Sequence, residues 1–90
     1  MTIQQLIMMG FSAEEADELD RMRDENGHVY CVLVESKNYE PVGRTRALPR
    51  WAAIDLARFF NFIDNKDQGW VMARVADPTH YVNLPIYTLA

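Results

Sequence analysis

The feature that most constrains this chain is the run His28-Val29-Tyr30-Cys31-Val32-Leu33-Val34. It is β-branched or aromatic at most positions and apolar on both alternating faces. That is the composition of a strand buried on both sides, or at least central in its sheet. With 90 residues in all, the chain has room for one domain, residues 1–90, and one thin core around that strand. At 49% hydrophobic and 24% charged residues it falls in the globular class.

The segments on either side show what is available to cover it. Residues 3–10 carry Ile3, Leu6 and Ile7 at helical spacing, with Gly10 as the stop. Ser12 and Glu15 read as a capping box for a helix over 13–25, which repeats Ala16, Leu19 and Met22 on one side. Asn26-Gly27 ends it. After the central run, 36–41 is a turn, and 42–48 reads as a weak edge strand carrying Gly43 and two arginines. Pro49 opens a helix to about Ile63. Residues 65–69 read as a loop, Trp70 to Val75 as a strand and 77–79 as a turn. Val82, Leu84 and Ile86 alternate in a last strand over 81–89, which Pro85 places at an edge. The expected fold is α+β: a helical hairpin over 1–27, then a β-β-α-β-β unit over 28–90. Its antiparallel sheet has three to four strands, with the helices on one face.

The helix at 50–63 carries more apolar surface than one face can bury. At 100° per residue, Ala52, Leu56, Phe59, Phe60 and Ile63 form a core arc, with Ala53 and Ala57 beside it. The opposite arc holds Arg50, Asp55, Arg58 and Asn61. Trp51, Ile54 and Phe62 lie among these charges. Either the N-terminal helices cover this side, or Trp51, Ile54, Arg58 and Phe62 form a partner-binding patch, since Trp and Arg are enriched at binding hot spots.

Charge is segregated along the chain. Residues 1–27 carry seven acids and two bases, and residues 28–63 five bases and three acids, within a formal net charge of −4. Glu14, Asp17, Glu18 and Asp20 are an expected electrostatic surface. Arg44, Arg46 and Arg50 read either as a solvated edge that discourages strand pairing or as a basic patch, offering a nucleic-acid site with Trp51 as a stacking platform.

No catalytic or metal signature stands out, and no cofactor is expected. Cys31, the only cysteine, cannot close an intramolecular disulfide and reads as an inert core thiol. His28 and Cys31 are three apart on a strand and face opposite sides. His80 near Asp77 reads as a solvated turn. Residues 64–69 have a calcium-loop glycine, but Lys66, Gln68 and Val75 stand where ligands are needed. Met1 to Gln5 carry no basic side chain before a short apolar run, so no secretory signal is expected, and no run reaches about 20 apolar residues. A complete, soluble, cytoplasmic protein that stays off the membrane is expected.

Met9-Gly10-Phe11-Ser12, with Glu15-Ala16, resembles the first loop of ubiquitin-associated domains. In that family the loop helps contact a partner's apolar patch. The resemblance spans residues 3–22; the family continues into a third helix where this chain enters its strand, so ubiquitin binding is not carried over. Phe11 is expected to staple the helical hairpin. In overall profile the chain resembles small phage-encoded inhibitors of host defence, such as anti-CRISPR proteins, with no residues to transfer. Together these readings point to a non-enzymatic module that masks a surface of a protein or nucleoprotein partner. A homodimeric adaptor, through this helix or the strand at 81–89, and a nucleic-acid accessory protein are the alternatives.

Overall fold

The computed structural model describes residues 1–62 and 72–87. Ile63, the loop at 65–69, Trp70 and the end of the expected last strand lie outside the described residues. Within them the chain forms α1 (Ile3–Met8), α2 (Ala13–Arg21), β1 (Cys31–Glu35), β2 (Pro41–Arg44), α3 (Arg50–Phe62) and β3 (Met72–Ala76). The three strands form one antiparallel sheet in the order β2-β1-β3.

β1 is the central strand, and all five of its residues are buried. Alternation along the strand sends Val32 and Val34 to one face, where they pack with Ala53, Ala57 and Phe60 of α3. Cys31 and Leu33 point the other way. Arg44 pairs with Leu33 in register and therefore shares that second face. There its side chain meets Glu15 and the Phe11 ring of the helical hairpin. The hairpin and α3 thus lie on opposite sides of the sheet, which corrects the expectation of helices on one face. The physical reason is the strand itself: a run apolar on both sides needs two covers.

The hairpin has its own core of Leu6, Phe11, Ala16 and Leu19, extended by Val29 and Ala47. Phe11 precedes the Ser12 cap and packs with Ala16 one turn on, as a hydrophobic staple does. The reciprocal capping box forms at Thr2 and Gln5 rather than at Ser12 and Glu15. Ser12 accepts the Glu15 N–H, but the Glu15 carboxylate turns away to Arg44. α2 stops at Arg21, short of the expected residue 25. The loop beyond it is organised by Asp24, whose carboxylate accepts the N–H groups of Asn26 and His28 and the Tyr30 hydroxyl at 2.6 Å.

The hydrogen bond from Tyr30, followed by the backbone donors, holds the Asp24 carboxyl below its ordinary value, and the same bond pushes the Tyr30 hydroxyl up. A carboxyl depressed in the folded state adds stability above its unfolded value, and this is lost as pH falls through the folded value. Tyr30→Phe is therefore expected to raise the Asp24 pKa toward its ordinary value. It should also move the acid edge of the stability profile to higher pH. Carboxyl titration by NMR measures the first effect, and an unchanged Asp24 midpoint would count against the Tyr30 bond.

β2 ends at Arg44 rather than 48, though Leu48 keeps one bridge to Tyr30. The expected strand at 81–89 is not a strand in the described part. Pro78–His80 is a single 3-10 turn capped by Asp77, and Leu84 N–H closes a turn on Tyr81. The segment then touches β2 through one parallel bridge, in which Arg44 N–H donates to Pro85 and Tyr87 N–H to Arg44. Val82 packs on the hairpin against Gly10, whose φ of 112° and missing side chain permit the approach. A Cβ at Gly10 would sit 3.2 Å from Val82.

Candidate interaction surface

α3 is positioned by its alanines. Ala53 and Ala57 let the helix approach the sheet closely, and Phe60 fills the remaining space edge-on to Tyr87, with ring centroids 5.8 Å apart. The buried centre is therefore the 53–57–60 line. Ala52 and Leu56 are half-buried, and Phe59, expected in the core, is 49% exposed. The small residues were the signal for the contact face: two alanines one turn apart mark where a helix comes near a sheet, and the nearby phenylalanines do not.

Rotating the core line in this way puts the opposite face in solvent. Trp51 is 71% exposed and Phe62 88%. Arg58 and Asp55 are exposed between them, and Ile54 is half-buried on the flank. The hairpin lies across the sheet and does not cover this side. The structure thus brings Trp51, Arg58 and Phe62 onto one solvent face with Ile54 at its edge, and adds Phe59 to it. Beside Trp51 a shallow groove of about 370 Å³ is lined by Leu48, Ala52, Asp55, Leu56 and Phe59. Exposed apolar surface collected in this way marks contact sites more often than single exposed residues do.

Asn61, expected among the solvent-facing residues of α3, is exposed, and its side chain also reaches the sheet edge. Its side-chain amide donates to the Ala73 carbonyl at 2.9 Å and accepts the Ala73 N–H at 2.8 Å. These two bonds imitate a neighbouring strand and block part of the open edge of β3 against further pairing. The helix face is left as the more open surface.

Among the charged residues, Arg44 departs from expectation. Arg44 is 1% exposed and belongs to no surface patch. Its guanidinium donates to Glu15 at 2.8 Å, to the Tyr81 carbonyl at 2.7 Å and to the Thr45 carbonyl at 3.1 Å. Arg46 donates to Glu18 at 2.6 Å and lies 3.5 Å from Glu14. Asp17 pairs with Arg21 and Asp20 with Arg23. The acidic helix and two of the three patch arginines are therefore the two sides of one internal contact. Arg50, at the start of α3, stands outside it. Arg46 is shared between Glu14 and Glu18, and Glu14, Asp17 and Asp20 stay exposed.

Cys31 is buried and its thiol is pushed up to about 12, first by burial, so it stays protonated at neutral pH. Asp77 spends its carboxylate on Thr79, from which it accepts the N–H and the hydroxyl, rather than on the His80 ring. Among the described residues no group of three or more His, Cys, Asp or Glu side chains is placed to hold a metal ion, and no helix is long and apolar enough to cross a membrane. Against this geometry, no protein-family model, curated protein or solved structure matches the chain.

Proposed function

We propose that the protein works without chemistry of its own, by binding another protein through the solvent face of α3. The observation that carries this reading is the exposure of Trp51 and Phe62 on a helix whose other side already supplies a complete core contact. Trp51 would be the anchor, because an indole buries a large area at little entropic cost and keeps a polar handle. The apolar groove beside it would receive a partner's side chain, and Arg58 and Asp55 would set orientation. Such a face acts by occupancy, which suits an inhibitor or an adaptor.

Trp51→Ala tests the reading. The side chain is mostly in solvent, so stability is expected to change by less than about 0.5 kcal/mol. Capture of a partner from native-host lysate by the immobilised protein should fall by roughly 30-fold, the effect of losing a central hot spot. Arg21→Ala, on the far side of the sheet, serves as the control. A stability loss of several kcal/mol, or equal capture by wild type and variant, would remove the reading.

A further inference from the structure

The exposed face of α3 is complementary to itself. Trp51, Asp55, Arg58 and Phe62 follow one another at spacings of four, three and four residues, the seam of a two-helix coiled coil. The order along the seam is apolar, acidic, basic, apolar. Reversing one α3 against another about the midpoint between Leu56 and Ala57 sets Trp51 opposite Phe62 of the second copy and Asp55 opposite Arg58. The two-fold axis repeats both pairings. Ile54 then lines one edge of the seam beside its own copy, and Phe59 lines the other. Among the described residues Asp55 and Arg58 have no ion pair within the chain.

Building on the protein-binding reading of this face, we infer that its occupant is a second copy of the same chain, packed antiparallel through α3. Charge complementarity selects this occupant and this direction. The antiparallel pairing makes two Asp55–Arg58 contacts between two aromatic layers. A parallel pairing would set Asp55 on Asp55 and Arg58 on Arg58. Two polar layers between two apolar ones fix register and orientation at some cost in affinity. A helix of 13 residues is about 20 Å long, so the interface belongs to the small end of specific contacts and the dimer dissociates on dilution.

Sedimentation velocity over a wide range of protein concentrations tests this, with charge reversals at the seam. Wild type is expected to pass from monomer to dimer as concentration rises. Asp55→Arg and Arg58→Asp each replace two attractive contacts with two repulsive ones, and each should weaken the dimer by roughly 100-fold. Mixing the two variants should restore association as a heterodimer, and both changes in one chain should restore the homodimer. Both residues are exposed, so circular dichroism should report an unchanged fold. A wild type that stays monomeric at every concentration, or single reversals that dimerise as wild type does, would overturn the inference. If wild type is monomeric yet captures a different protein in a Trp51-dependent way, self-association is wrong and the protein-binding reading stands. Loss of both would remove both.

Discussion

Arg44→Met should cost about 3–5 kcal/mol, the penalty for removing one partner of a buried ion pair. In a domain of this size that corresponds to a melting temperature lower by roughly 15–30 °C. The guanidinium is almost fully enclosed and holds three elements at once: Glu15 of α2, the β2 strand on which it sits, and the Tyr81 carbonyl of the last segment. It also lies over the Phe11 ring at 5.5 Å. Methionine keeps much of the volume, so the loss would come from the stranded Glu15 carboxylate and the unsatisfied carbonyls rather than from a cavity. Adding Glu15→Gln to the Arg44→Met variant should recover part of the loss, because the unpaired buried charge is removed. A double-mutant cycle of thermal or urea unfolding reads this coupling. If Arg44→Met melts within a few degrees of wild type, the buried pair does not join the hairpin to the sheet.

Phe60→Ala is the second large effect, again about 3–5 kcal/mol, from the lost burial and the cavity left between α3 and the sheet. Phe60 is packed among Val32, Val34, Ala53 and Ala57 and meets Tyr87 edge-on. Phe62→Ala, two positions along the same helix, should change stability by less than about 0.5 kcal/mol. Urea unfolding of the pair makes a direct comparison of like residues. Equal losses at both positions would mean that the core line of α3 does not run through 53, 57 and 60.

These contrasts show where sequence patterns carried information. The central place of β1 was legible because a run apolar on both faces has only one kind of position in a sheet. The turn after β1, the stop at Gly10 and the Ser12 cap were legible because each rests on chemistry within a few residues, although Pro41, expected in the turn, opens β2. The alternation at 82, 84 and 86 misled, because period two needs a continuous ladder to become a strand. Pro85 has no N–H to donate, and Leu84 spends its own on a turn to Tyr81. The exposure of Phe59 was hidden because Phe59 and Phe60 are one step apart on the helix. Only the choice of which alanines touch the sheet decides which ring goes inside.

Charge shows the same division most clearly. The composition placed an acidic segment before a basic one, and this is a property of the sequence alone. It suggested two surfaces of opposite sign. In the folded chain the hairpin comes to lie against β2, and the arginines at 44 and 46 close on the acids at 14, 15 and 18. Local pattern determined the helices, the buried strand and the surplus of apolar residues on α3. Which face of the sheet each helix covers was settled only by tertiary packing, since a two-sided strand demands two covers without saying which. That choice buried Arg44 beneath the hairpin and left the Trp51–Phe62 face of α3 exposed.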